Sequence, residues 1–103
     1  MERAFVKIWK IMEILLENYG FSIDDVEVHS DKICEIYYFE NDFQDRFVIF
    51  NVEYNKRDFD VESIYCTVRD QFEEVLLEEE LDQYDMRNLS DYLDYLSKEY
   101  EIN

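Results

Sequence analysis

The side chains able to do chemistry in this 103-residue chain are overwhelmingly carboxylates. Twenty-seven Asp and Glu stand against ten Lys and Arg, with one histidine and two cysteines. His29 falls on the solvent parity of a strand-like stretch. Cys34 follows on the opposite parity, so the two do not form a Cys–His nucleophile pair. Asp58-Phe59-Asp60-Val61-Glu62 puts three carboxylates on alternate positions, but it lacks the Gly-bearing turn and terminal bidentate Glu of a calcium loop. Glu78-Glu79-Glu80 reads as a solvated charge run. With a single Gly in the chain, no Gly-rich phosphate loop, dinucleotide fingerprint or nucleophile elbow is possible. The expectation is a protein that is not an enzyme, with no cofactor and no metal site. Direct nucleic-acid binding is also disfavoured, because it rests on neutralising phosphates with Lys and Arg.

What remains is a binding surface. The formal net charge is −17, yet 48% of the chain is hydrophobic and 17% aromatic. That apolar content separates it from disordered acidic tails, while the charge exceeds the roughly 2 to 8 units that keep a small domain in solution. The charge is uneven: residues 1–20 are neutral, residues 21–69 carry −7, and residues 70–103 hold twelve acids and two bases. In this last third, Asp70, Glu73, Glu74, Glu78, Glu79, Glu80, Asp82, Asp85, Asp91 and Asp94 are assigned to outward helix positions as the partner-binding set. Carboxylates one helical turn apart are spaced by about 5–6 Å. One duplex strand carries a charge per roughly 3.4 Å. A helical array of acids therefore approaches the charge density of a nucleic-acid backbone, and suits an Arg/Lys groove through charge-assisted forks.

The elements that must carry this surface follow from periodicity. Phe5, Ile8, Trp9, Met12, Leu15, Leu16 and Tyr19 recur at helical spacing, predicting an amphipathic helix over residues 2–19. Gly20 is placed to stop it in a left-handed conformation, with Phe21 folding back on the last turn. From Val26 to Val68 the period is two. Val26, Val28, Cys34, Ile36 and Tyr38 share one parity, Val48, Phe50, Val52 and Tyr54 another, and Ile64, Cys66 and Val68 a third. Residues 41–45 and 55–58 are the turns between these strands, and Ser30-Asp31 is either a bulge or a turn that adds a fourth strand. Residues 70–100 return to helical spacing through Phe72, Val75, Leu76, Met86, Leu89, Leu93, Leu96 and Tyr100, predicting two helices, the second capped by Asp85 or Asn88. The expected fold is a single α+β domain over residues 1–103. It has a three-stranded, possibly four-stranded, antiparallel sheet with an N-terminal helix and two C-terminal helices, in the order α-β-β-β-α-α. No signal peptide or membrane span is evident, which with reduced cysteines points to the cytoplasm.

Small size, strong acidity, nine tyrosines and that element order together resemble the phage-encoded DNA-mimic inhibitors, among them small acidic anti-CRISPR proteins. The resemblance covers the whole chain in composition and element order and carries over no individual residue. It implies a bacterial host and an inhibitor that occupies the basic surface of a nucleic-acid-binding protein such as a Cas effector, nuclease or restriction enzyme. The inhibitor would act as a monomer or homodimer, without binding nucleic acid or membrane itself. Two other readings share the composition. One is an immunity protein plugging the basic active site of a nuclease toxin. The other is an acidic structural or adaptor subunit whose tyrosines form an oligomer interface.

Overall fold

Strict alternation of apolar residues in the middle of the chain builds a sheet with one packed face, and this sheet organises everything else. The computed structural model describes residues 6–102. It contains five strands: β1 (Ser22–Val28), β2 (Lys32–Glu40), β3 (Arg46–Asn55), β4 (Val61–Asp70) and β5 (Val75–Glu80). They form one antiparallel meander in the order β1-β2-β3-β4-β5. A helical segment precedes the sheet, with α1 (Ile8–Met12) running into a π-wound stretch over Glu13–Asn18. Two helices follow it, α2 (Gln83–Arg87) and α3 (Leu89–Tyr100).

The expected α-β-β-β-α-α order is therefore corrected to α-β-β-β-β-β-α-α, and the three- or four-stranded sheet to five strands. The fourth strand is the turn alternative at Ser30-Asp31, and the fifth comes from a stretch expected to be helical. Ser30-Asp31 is a tight turn, closed by the His29 amide donating to the Lys32 carbonyl at 2.9 Å, so β1 and β2 are separate strands. Residues 75–80 look helical by propensity, since Leu and Glu both favour helices. They instead pair with β4 through Val68–Leu77, Cys66–Glu79 and Tyr65–Glu80, where backbone hydrogen bonding along an open strand edge overrides propensity. Phe72, Val75 and Leu76 thus do not share a helix face. Phe72 sits on the β4–β5 hairpin, 80% exposed.

The helices lie against one face of the sheet. Val48, Phe50, Val52 and Tyr54 from β3 and Ile64, Cys66 and Val68 from β4 are buried as expected, together with Ile8, Ile11, Leu15, Leu89, Leu93 and Leu96 from the helices. Each large side chain in this set contributes roughly 1.5–3 kcal/mol by leaving water. On β2 the packed parity is the reverse of the one expected. Ile33, Glu35, Tyr37 and Phe39 pair with the buried β3 residues, whereas Cys34, Ile36 and Tyr38 pair with Glu53, Asn51 and Ile49 on the other face. This strand is apolar on both faces, so alternation alone could not orient it. Val26 and Val28 do lie on the helix side, but on an edge strand that is exposed along its length.

The ends of the helices are held by specific groups. Gly20 has φ +77°, and the Phe21 amide donates to the Leu15 carbonyl at 2.8 Å, which is the left-handed stop expected there. The helix itself is shorter than residues 2–19; residues 2–5 of that range lie outside the described residues, and Lys7 pairs in extended conformation with Asp60. Asn88, one of the two expected caps, occupies the N-cap position of α3 without a side-chain hydrogen bond, while Asp82 caps α2, its carboxylate accepting from the Asp85 amide at 2.8 Å. At the other end of α3, Arg46 Nε donates to the Tyr100 carbonyl at 2.8 Å, placing a cation where the helix dipole favours one. Cys34 and Cys66 are free thiols on opposite faces of strands separated by β3.

Candidate functional site

Ten acids were assigned to helical positions, and the fold places only four of them on or at the start of helices. Asp70 ends β4, Glu73 and Glu74 lie in the following hairpin, Glu78, Glu79 and Glu80 lie on β5, Asp82 caps α2, Asp85 is on α2, and Asp91 and Asp94 are on α3. On β5 the side chains alternate, so Glu78 and Glu80 face away from the helices while Glu79 faces toward them, opposite Cys66. The strand repeat puts Glu78 and Glu80 about 7 Å apart. That is half the linear charge density of a duplex strand, sparser than a helical array.

The structure nonetheless gathers part of the set. Because α3 crosses back over the sheet, Glu79, Asp85 and Asp91 line one hollow of about 400 Å³ with Tyr84, Asn88, Tyr92 and Tyr95. Tyr92 donates its hydroxyl to Glu79 Oε1 at 2.6 Å. Burial, and then that bond, push the Tyr92 hydroxyl well above the ordinary tyrosine range. Partial burial raises the Asp85 carboxyl, reinforced by the charges of Asp82 and Glu79. Asp82 and Glu79 thus disfavour the charged form of Asp85, a cost that a cation docked here would offset. A carboxylate beside tyrosine rings suits a guanidinium, which can stack on the ring and fork onto the acid.

The other acids of the set are apart from this hollow. Asp94 accepts from the Tyr19 hydroxyl at 3.0 Å, tying α3 to the N-terminal helical segment. Glu80 accepts from Ser63 Oγ at 3.1 Å, and Glu78 hydrogen-bonds Tyr65, whose hydroxyl is raised chiefly by that bond. Asp70 turns inward on its own hairpin, its Oδ1 accepting from the amides of Phe72 and Glu74 at 2.9 and 3.0 Å. Asp70 and Glu73 border a second hollow, of about 250 Å³, with Tyr38, Phe47, Ile49, Arg69 and Gln71.

Tyr84, Tyr92 and Tyr95 were not singled out from sequence. Their signal was present in the acid–tyrosine neighbours Tyr84-Asp85, Asp91-Tyr92 and Asp94-Tyr95, but it becomes a site only once α3 is laid against β5. The alternate acids Asp58, Asp60 and Glu62 do not converge on a cation. Lys7 Nζ is 2.6 Å from Asp60 Oδ1, and Asp58 Oδ1 accepts from the Asp60 amide. Among the described residues no cluster of three or more His, Cys, Asp or Glu could hold a metal ion, and no helix is long and apolar enough to cross a membrane. No protein-family model, curated protein or solved structure matches this chain.

Proposed function

We propose that this protein is a non-enzymatic inhibitor that occupies the basic nucleic-acid-binding surface of a bacterial protein, in the manner of an anti-CRISPR or other anti-defence DNA mimic acting in the host cytoplasm. One observation carries the reading. Residues 70–103 hold twelve acids and two bases, running from the β4–β5 hairpin along an edge strand and into two helices that return to it. So many unbalanced acids repel one another in the isolated protein, and Asp85, raised by burial and by Asp82 and Glu79, shows that cost at one position. The same acids become favourable against a surface rich in Arg and Lys, which would also be reached rapidly at low salt.

The test is affinity capture from host lysate at low salt, with washes of rising ionic strength, followed by competition with DNA and RNA. A captured nucleic-acid-binding protein that salt or nucleic acid releases supports the reading. Binding indifferent to both would overturn it. A nuclease toxin released in the same way would assign the immunity role instead. A variant with Glu79→Gln, Asp85→Asn and Asp91→Asn should lose affinity while keeping its fold, since all three line an open hollow.

A further inference from the structure

The helices cover only one face of the sheet. The other face carries Cys34, Ile36 and Tyr38 on β2, Phe47, Ile49 and Asn51 on β3, and Tyr65 and Thr67 on β4, as the pairings Tyr38–Ile49, Ile49–Thr67 and Asn51–Tyr65 require. Among the described residues no element packs on this face. Its apolar members are half-buried by one another yet lie outside the core cluster. An antiparallel sheet with one solvated face ordinarily reads polar on that face. Here the middle is aromatic and aliphatic, with Tyr38 and Phe47 stacked at 6.3 Å, which is the composition of an interface.

The rim identifies the occupant. Asp25, Glu27, Glu40, Glu53, Glu78 and Glu80 share this face by register, against Lys32 and Arg69. Lys32 is already engaged, its Nζ 3.4 Å from Glu53. A second copy docked face to face would oppose acidic rim to acidic rim. A partner with an apolar patch ringed by Lys and Arg would meet both parts. Beside this face the β4–β5 hairpin, held by the two amides donating to Asp70, carries Phe72 out in solvent, while Gln71 and Glu73 on either side of it line a hollow with Tyr38, Phe47 and Ile49. An aromatic presented on rigid backbone loses little entropy on docking and commonly dominates an interface.

We infer that the open sheet face, with Phe72 as its anchor, is the principal docking surface for the basic partner, and that the acid edge of β5, α2 and α3 flanks and steers it. The inference rests on the proposed function for the partner's class and adds that the partner's basic surface encloses an apolar pocket.

The probes are two synthetic peptides of equal length and charge, one alternating lysine with leucine and the other lysine with glycine, titrated into the intact protein by calorimetry and amide NMR. The leucine peptide should bind about tenfold tighter or more, since it adds apolar burial to the same charge. It should retain binding at high salt and shift the amides of Ile36, Tyr38, Ile49 and Tyr65. Phe72→Ala should weaken the leucine peptide about tenfold and leave the glycine peptide unchanged; because Phe72 is largely exposed and outside the core cluster, the variant should fold. Equal affinity for the two peptides, or shifts confined to β5, α2 and α3, would overturn the inference. So would concentration-dependent self-association that shifts the open-face amides without peptide. Leucine-peptide binding on this face by a protein that displaces no nucleic acid from its captured partner would instead remove the proposed function and leave the docking surface standing.

Discussion

Replacing Glu35 should destabilise the fold more than replacing any surface acid, and the cost should largely disappear when its two tyrosine partners are replaced with it. Glu35 is 6% exposed on the helix side of β2. Its two oxygens accept from Tyr37 at 2.5 Å and Tyr54 at 3.0 Å, and no Lys, Arg or His is paired with it among the described residues. A hydrogen bond to a charged group is worth roughly 1.5–3 kcal/mol net, and a buried donor left without a partner costs about 1–3 kcal/mol. Glu35→Ala leaves two such hydroxyls and a void, giving an expected loss of about 3–5 kcal/mol. Glu35→Gln keeps the shape and one acceptor oxygen, and should lose about 1–2 kcal/mol. In the triple variant Glu35→Leu, Tyr37→Phe, Tyr54→Phe no buried polar group remains, so its stability should lie within about 1 kcal/mol of the parent or above it. Urea unfolding followed by circular dichroism measures all three, with an unchanged m-value as the control. A loss below about 1 kcal/mol for Glu35→Ala, or a triple variant as damaged as the single one, would refute a satisfied buried cluster.

Further outcomes follow from the same electrostatics. Added salt should raise the melting temperature by screening self-repulsion among −17 net charges; a melting temperature indifferent to salt would contradict this. Burial and then the bond to Glu35 raise Tyr54 to about 12, and Tyr37 and Tyr92 are raised by burial and by Glu35 or Glu79. Groups whose folded pKa lies above the unfolded value near 10 stabilise the fold fully below that pH and stop doing so as pH climbs through the folded values. Tyrosinate absorbance should therefore rise in two stages, the second coinciding with loss of structure; nine tyrosines titrating together with the fold intact would be the contrary result. Asp85 is raised by burial and by Asp82 and Glu79, so it binds a proton more readily folded than unfolded and costs stability above the ordinary carboxylate range. Asp85→Asn should thus stabilise by roughly 0.5 kcal/mol at neutral pH, with the gain fading on acidification in thermal melts, while affinity for a basic partner falls.

How far the sequence could be read depended on whether one physical signal dominated. Gly20, the β3 and β4 alternation and the helical face of Leu89, Leu93 and Leu96 each had a single strong signal, and each is where it was expected. β2 failed because Ile33, Tyr37 and Phe39 compete with Ile36 and Tyr38 for the core, and only the register against β3 decides. β5 failed because Val75–Glu80 has a helical composition, and its partner, the free edge of β4, is a tertiary fact. The acid set was legible as composition. Its division between a tyrosine-lined hollow, a hairpin and the rim of an open sheet face required knowing that β5 is a strand.

Edge protection offers a competing account of some of these acids. Charged side chains on an edge strand deter pairing with another chain. Both edges carry them here, Asp24, Asp25 and Glu27 on β1 and Glu78, Glu79 and Glu80 on β5. That account covers the strands, but not Asp85, held beside Asp82 and Glu79 off the strand, nor the tyrosines around it. The two accounts separate on the sign of the charge, because lysine protects an edge as well as glutamate does but repels a basic partner. Glu78→Lys with Glu80→Lys leaves the backbone of β5 and the core-facing Leu77 and Glu79 untouched. If these acids act only as edge protection, the double variant stays as monomeric as the parent and binds its captured partner unchanged. If they rim a docking face, the variant keeps its fold and loses affinity at least tenfold, most of it at low salt where unlike charges act furthest. Sedimentation gives the first quantity and calorimetry at two salt concentrations the second. Retained affinity in a monomeric variant would reduce the acids of β5 to a feature of the fold.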